Sequence, residues 1–254
     1  MKEKIQALIY TARWALTEAL STDKYSLLAF AVDRIAEAQA LAAIDDDEPE
    51  RPNVAPVISG KYYVPKIEVV SGVKFKTHGK FKTPSGQARG LVVHYTVSGR
   101  TAKSARGVVG YLASKGLGCL VMDEDGVIYA AQGYDFMTDV VYHAGPSLWK
   151  GKSGVSSYSV GMEICCWGRE SKVGPFRESK GDANIKKGKY QAYTQAQEDS
   201  LKNFILWQLD VNKEFNVDWI VGHDEIAPNR KTDPGASLSM TMPKFREKLL
   251  KAGS

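Results

Sequence analysis

The sequence contains few cysteines. Cys119, Cys165 and Cys166 are the only three among 254 residues, and two of them are neighbours. Adjacent side chains on an extended strand point to opposite faces, so Cys165 and Cys166 are poorly placed to take part in one disulfide framework. An odd number of cysteines with this spacing excludes a disulfide-rich scaffold and favours folding in a reducing cytoplasm.

Long apolar runs are also missing. The N-terminal stretch MKEKIQALIYTARWALTEAL is interrupted by Arg13 and Glu18. No segment approaches the roughly 18 uncharged apolar residues of a membrane span, and none has the core of a secretory signal. We therefore expect synthesis in the cytoplasm without a signal peptide and no stable membrane insertion.

The charge is unevenly distributed along the chain. The first fifty residues carry five basic and ten acidic side chains, which leaves 29 basic and 19 acidic ones on the remainder. A basic remainder favours an anionic partner such as nucleic acid, acidic lipid or a cell-wall polymer. No familiar nucleic-acid recognition motif accompanies the charge, so we expect no nucleic-acid partner.

The N-terminal part differs in pattern from the rest. Apolar side chains recur twice at helical spacing, which predicts a small α-helical hairpin module in residues 1–50. Its role is open between wall targeting, oligomerisation and a cap on the main domain. The acidic, proline-containing stretch DDDEPERPNVAP opposes both helix and strand. The domain boundary falls there or slightly beyond it, and we place a linker and entry segment at 51–85 and the main domain at 86–254.

Strand and helix patterns alternate from about Gly90 onward. The predicted strands are GLVVHYT, two strands of CLVMDEDGVIYAAQ joined at Asp125-Gly126, YSVGMEICCW and DWIVGH. The predicted helices cover Ala102 to Ser114, Thr194 to Lys213 with a Thr194/Gln197 capping box, and a terminal segment from Pro243. The alternation predicts an α/β fold with a mixed central sheet flanked by helices.

One stretch lacks any apolar period. Gly168 to Tyr190 carries seven basic and three acidic side chains. This pattern predicts a mobile loop. It either borders a groove and attracts an anionic polymer or is a plain solvated insertion.

Two histidines and an aspartate follow predicted strands. His94 and His223 each end a strand, and Asp233 lies on the loop that leaves the second. Catalytic zinc sites take three such ligands and keep a fourth position for water. Spacing alone leaves open that these are ordinary core or surface residues.

The longer string around His223 favours the zinc-site interpretation over ordinary core or surface residues. GHDEIAPNRKTDPG resembles the GH-x-E-x-x-P…RK-x-DPG signature of type 2 N-acetylmuramoyl-L-alanine amidases, zinc enzymes that share their fold with peptidoglycan recognition proteins. VVHYT, YHAG and SVGMEI resemble further motifs of that family. The resemblance extends from about Gly90 to the C-terminus.

The resemblance implies a role for each matched residue. Zn²⁺ would be bound by His94, His223 and Asp233, with Glu163 as general base and Lys231 stabilising the oxyanion. The substrate would contact His143, Tyr95 and Arg230. Cys165 has the same strand parity as Glu163 and could replace Asp233 as a soft ligand; alternatively it is a small buried core residue.

The implied function is hydrolysis of the amide between N-acetylmuramic acid and L-alanine. The expected partner is peptidoglycan, a glycan strand with its stem peptide. We expect a phage-type endolysin that acts on the cell wall after release from the host cell. The alternatives are a non-catalytic peptidoglycan-binding protein of the same fold and a cytoplasmic amidase that recycles wall fragments.

Overall fold

The structure, a computed structural model, describes residues 58–59, 62–63, 65–182 and 184–253. The chain divides into two units, residues 1–64 and 65–254. In the first, β1 (Ile58–Ser59) pairs antiparallel with β2 (Tyr62–Tyr63). The helical hairpin predicted in 1–50 lies outside the described residues.

A six-stranded mixed sheet forms the centre of the second unit. Its strands are β3 (Ile67–Val70), β4 (Gly90–Tyr95), β5 (Leu120–Met122), β6 (Ile128–Ala131), β9 (Ser159–Ile164) and β12 (Ile220–Gly222). They lie in the order β12-β4-β9-β5-β6-β3. All neighbours are parallel except β5 and β6, which form the predicted hairpin through Asp125-Gly126. The predicted fold class is confirmed.

Four helices accompany this sheet in the described residues: α1 (Ala102–Ser114), α2 (Gln195–Val211), α3 (His223–Ile226) and α4 (Met242–Gly253). The capping box of α2 is present. Thr194 Oγ1 accepts from the Gln197 amide, and Gln197 Oε1 accepts from the Thr194 amide, both at 3.0 Å. None of these four helices is long and apolar enough to cross a bilayer.

The helices are fixed to the sheet by packing and by side chains that satisfy backbone carbonyls. Ala105 and Val109 of α1 are buried in one cluster with Val121 and Tyr129 of the β5–β6 hairpin. Gln197 Nε2 of α2 donates to the Cys165 carbonyl at 3.0 Å. Each such bond satisfies a buried acceptor that would otherwise be costly, so it also fixes the helix position.

A charged clamp ties α4 to the end of β12. Arg246 donates from Nη1 and Nη2 to the two carboxylate oxygens of Glu225, both at 2.8 Å, and from Nη1 to the Ile220 carbonyl. Glu225 Oε2 also accepts from the Gly222 amide at 3.0 Å. The glutamate of the GHDE motif is therefore structural, since it holds the turn that presents His223.

The predicted mobile loop at 168–190 contains regular structure. β10 (Phe176–Ser179) and β11 (Gly188–Gln191) pair antiparallel over four residues. Tyr190 is fully buried, and Gly168 adopts a φ of +69° against the Tyr95 ring, where a Cβ would come within 2.4 Å of ring carbon. The loop prediction is wrong here because strand pairing is a long-range contact that a polar, apolar-poor sequence does not reveal.

Two further short strands follow β6 and precede β9 in the sequence. β7 (Leu148–Trp149) and β8 (Lys152–Ser153) form a small antiparallel hairpin.

The strand predicted as DWIVGH is shorter than expected. It stops at Gly222, and His223 begins α3 instead of ending the strand.

Candidate metal centre

Neighbouring parallel strands bring the candidate residues to one edge of the sheet. His94 in β4 and Glu163 in β9 are register partners, and His223 follows β12 directly. Ligand sites in α/β sheets form at the carboxyl ends of such strands. Asp233 is drawn to the same place because the Asp224 amide donates to its carbonyl at 2.7 Å.

Two imidazoles and one carboxylate converge there. His94 Nδ1 lies 2.8 Å from His223 Nδ1 and 3.0 Å from Asp233 Oδ2, and His223 Nδ1 lies 2.9 Å from the same oxygen. All three residues are buried, with 1%, 2% and 6% of their surface exposed. Three ligand atoms from distant parts of the chain thus lie mutually within 3.0 Å.

The donor set fits a divalent cation such as zinc. His223 Nε2 lies 3.0 Å from the Ala144 carbonyl, which can only accept, so Nε2 carries the hydrogen of the neutral ring. Its Nδ1 then directs a lone pair at Asp233 Oδ2. Nitrogen lone pairs and a carboxylate at this separation are stabilised by a cation, and two histidines with one carboxylate are ligands that zinc accepts.

The charges of the cluster are consistent with this role. Burial acts to raise the pKa of Asp233, but its close interactions with the His223 and His94 rings hold that pKa below its usual range. Burial and the neighbouring His223 lower the pKa of His94 to about 4. The protein therefore keeps an ionised carboxylate beside a neutral imidazole, which are the forms that bind metal.

Glu163 and Lys231 lie beside the cluster. Burial and the charge of Asp233 raise the pKa of Glu163 well above its ordinary value, and Lys231 opposes the shift. Glu163 Oε2 is buried and makes no hydrogen bond within the part of the chain that the structure describes. Lys231 is half-buried, and its amide donates to the Ala227 carbonyl at 2.9 Å, which fixes the turn that carries it.

An open cleft of about 250 Å³ holds all eight predicted site residues. Tyr95 is hydrogen-bonded through its hydroxyl to Thr232. Arg230 Nη2 donates to the carbonyls of Ala144 and Pro146 at 2.7 and 2.8 Å. The cleft is lined by His94, Tyr95, His143, Glu163, His223, Arg230, Lys231 and Asp233, together with Val97 and Thr232. The sequence motifs thus identify residues that meet in space, and their individual roles stay predictions.

The soft-ligand alternative for Cys165 is wrong. Its side chain is buried among Ala105, Val109 and Val121, away from the cluster, where it packs as a small apolar residue. Cys119 is the cysteine near the site: its sulfur lies within 4.8 Å of a ring nitrogen of both His94 and His143. Sequence reasoning considered Cys119 only in counting disulfides.

Three residues that support His94 and His143 were not identified from the sequence. Tyr193 donates its hydroxyl to the His94 carbonyl at 3.0 Å. Ser156 accepts from the amides of His143 and Ala144 at 3.1 and 3.0 Å, and the Ser159 carbonyl lies 2.9 Å from His143 Nε2. Tyr193 and Ser156 lie outside the quoted motifs and so have no recognisable spacing relative to them, and Ser159, although it begins SVGMEI, acts through its backbone carbonyl, which residue type does not reveal.

A buried His-His-Asp cluster beside a carboxylate and a lysine, in an open cleft at strand ends, defines a candidate metal-dependent hydrolase of α/β class. The chain belongs to the N-acetylmuramoyl-L-alanine amidase family, whose profile matches residues 84–236, more than half of its length. Membership supports amidase activity on peptidoglycan. No curated protein matches the chain significantly in sequence.

Several solved structures are similar in fold. One is a selenomethionine derivative of AmpD, 20% identical over 72% of this chain and 93% of that one, with a TM-score of 0.48. Drosophila peptidoglycan recognition protein PGRP-SA is 13% identical over 72% of this chain and 92% of that one, with a TM-score of 0.48. The endolysin amidase LysCS from Clostridium intestinale is 16% identical over 74% and 98%, with a TM-score of 0.44.

Proposed function

We propose that the protein is a zinc-dependent N-acetylmuramoyl-L-alanine amidase that cleaves the bond between the lactyl group of N-acetylmuramic acid and the L-alanine of the stem peptide. The observation that carries the proposal is the convergence of His94 Nδ1, His223 Nδ1 and Asp233 Oδ2 within 3.0 Å. Bound there, zinc supplies Lewis acidity, which polarises a carbonyl and lowers the pKa of water.

Glu163 acts as the general base and then as the general acid. Its raised pKa means that the carboxylate holds a proton more tightly than an exposed glutamate does. A base of this kind accepts the proton of the attacking water and delivers it to the leaving amine nitrogen of L-alanine. The unpartnered Oε2 is the atom that is available for this transfer.

Lys231 stabilises the oxyanion of the tetrahedral intermediate. In the part of the chain that the structure describes, its ammonium makes no ion pair within 4.0 Å, so its charge is available to the cleft. A fixed cation close to developing negative charge lowers the barrier without reorganisation. Tyr95, Arg230 and His143 line the same cleft and would contact the muramyl peptide.

The wider context is also a proposal. The chain would comprise a helical module at 1–50, a linker at 51–85 and the zinc amidase domain at 86–254. A basic domain favours intact, anionic wall over small soluble fragments, which supports a phage-type endolysin that acts on the wall after release. A cytoplasmic recycling amidase is the alternative with the same chemistry.

A non-catalytic peptidoglycan-binding protein of the same fold is the alternative from another class. The combination of a compact ligand cluster, a buried carboxylate and a cleft lysine favours the enzyme, since binding alone requires none of these groups.

Incubation of the purified protein with peptidoglycan tests the proposal. An amidase releases new L-alanine amino termini without new reducing sugar ends. Chelation should abolish the release, and added Zn²⁺ should restore it. Binding to peptidoglycan without any release of amino termini would show the non-catalytic alternative instead.

A further inference from the structure

We propose that His143 is a positioning residue of the metal centre: it accepts the Nε2 proton of His94 and thereby keeps a lone pair on His94 Nδ1 for the metal. The inference rests on the proposed zinc site and deepens it. It gives His143 a second role, beside the substrate contact proposed above.

The orientation of His143 is set by its surroundings. Its Nε2 lies 2.9 Å from the Ser159 carbonyl, which only accepts, so Nε2 must carry a hydrogen. In the neutral ring, Nδ1 is then a bare acceptor. Two amide hydrogen bonds to Ser156 Oγ fix the backbone at the same point.

The His143 ring also lies closely against β9. It packs over Gly161, where a Cβ would lie 2.7 Å from His143 Cγ and 2.6 Å from Cys119 Sγ. Real Cβ atoms do not approach other atoms so closely. The glycine of the SVGMEI strand therefore provides the space in which the His143 ring sits against β9.

The acceptor of His143 faces His94. His94 Nε2 lies 3.0 Å from His143 Nδ1, which is hydrogen-bond distance. Because that Nδ1 has no hydrogen, the hydrogen between them belongs to His94 Nε2. A neutral His94 then presents its Nδ1 lone pair to His223 and Asp233, as a metal ligand must.

The two proposed histidine ligands thus share one tautomer, with the hydrogen on Nε2, but the two Nε2–H groups donate to different acceptors. His223 donates directly to a backbone carbonyl, that of Ala144, at 3.0 Å. His94 donates to a carbonyl through one intervening imidazole, in the order His94, His143, Ser159. Ligand histidines commonly donate their second nitrogen to a fixed acceptor, and losing that acceptor lowers metal affinity.

A rival arrangement uses the same atoms. His94, His143 and Cys119 also offer three ligand atoms within 4.8 Å of one another and could hold a soft metal. The nitrogen pair cannot share a hydrogen and bind a metal at once, so the two arrangements exclude each other. Cys119 distinguishes the two arrangements, because it would be a metal ligand in the rival site and would not bind metal in the His94, His223 and Asp233 site.

The first measurement is long-range ¹H–¹⁵N NMR of the four histidine side chains, in the zinc-free and zinc-loaded full-length protein. We expect the hydrogen of His94 on Nε2 in both states. A hydrogen found on His94 Nδ1 in the zinc-free protein would overturn the inference. The zinc-free spectrum decides this even if the protein binds no zinc, which would count against the proposed function alone.

The second measurement is zinc affinity by competition with a chromophoric chelator. His143→Ala should lower the affinity about 10- to 100-fold and shift His94 toward the Nδ1–H tautomer. His143→Gln, whose Oε1 can accept the same hydrogen, should recover most of the affinity. If His143→Ala fails to fold, His143→Gln and the wild-type spectrum still decide the question.

The matched controls are Cys119→Ser and His78→Ala. Cys119 Sγ lies within 4.8 Å of a ring nitrogen of both His94 and His143, and His78 stacks on Tyr142, the residue before His143, at 3.9 Å between ring centroids. Both variants should keep wild-type zinc affinity. Unchanged affinity in His143→Ala would overturn the inference, and so would a loss in Cys119→Ser as large as that in His143→Ala, which would show the rival site.

Discussion

Glu163 lies directly beside His94 in the sheet, as its register partner between β9 and β4. The spacing between the proposed base and a proposed metal ligand is therefore set by the hydrogen-bonded strand pair and not by a loop. Rigid strands hold reacting groups more accurately than loops do. Single substitutions can therefore test the proposed role of each residue separately.

Replacing Glu163 by glutamine should abolish most activity without releasing the metal. The amide keeps the shape of the side chain but cannot accept a proton, so kcat should fall by about 10²- to 10⁴-fold. Release of L-alanine amino termini and zinc content measure the two effects. Glu178→Gln, an exposed carboxylate on β10, is the control and should retain wild-type activity.

The same substitution should stabilise the metal-free protein at alkaline pH. Because the folded state raises the pKa of Glu163, its protonated form stabilises the fold below the unfolded pKa, and this contribution is lost as pH rises through the folded value. Glu163→Gln should therefore unfold at higher denaturant concentration than wild type at about pH 8, but at the same concentration at about pH 4. Equal midpoints at both pH values would contradict the buried-charge argument.

Replacing Lys231 by methionine should slow turnover while substrate binding changes little. The methionine preserves most of the apolar stem and removes the charge proposed to stabilise the oxyanion, so we expect kcat to fall about 10²- to 10³-fold. Steady-state kinetics on a soluble muramyl peptide separate kcat from KM. Lys213→Met, an exposed lysine after α2, is the control. A change confined to KM would assign Lys231 to substrate binding.

Breaking the Arg246–Glu225 clamp should destabilise the domain. Arg246→Met leaves a carboxylate that is only 7% exposed without its bidentate partner, and such losses cost about 3–5 kcal/mol. Urea unfolding measures the change. Lys251→Met, which removes an exposed pair with Glu247 on the same helix, should have a much smaller effect. Similar effects of the two variants would show that the clamp is not a buried pair in solution.

The sequence predicted the parts of the structure that depend on local chemistry. The Ala102–Ser114 helix has the expected bounds, and the Thr194/Gln197 box starts α2 as predicted, because capping is decided within four residues. The turn at Asp125-Gly126 joins its two strands for the same reason. Motif residues from four distant segments meet in one cleft, which the family resemblance anticipated and spacing alone did not.

The remaining features depend on contacts between distant segments. The pairing of β10 with β11 and the burial of Tyr190 have no signature in a charged stretch. Strand parity placed Cys165 on the same side as Glu163, but Cys165 follows the last residue of β9 and packs into the α1 cluster. His143 shows the same limit: a motif identifies the residue, whereas its partners His94 and Ser159 become visible only when the strands are assembled.

The two histidines of the cluster are 129 positions apart, and Asp233 lies ten residues beyond the second. A ribosome must therefore synthesise most of the domain before a nascent chain holds more than one ligand. At the proposed zinc site, metal binding would therefore require that β12, an edge strand of the sheet, has paired with β4. A chain truncated or misregistered at β12 would not bring His223 and Asp233 to His94, and under the proposed function it would leave the ribosome without amidase activity.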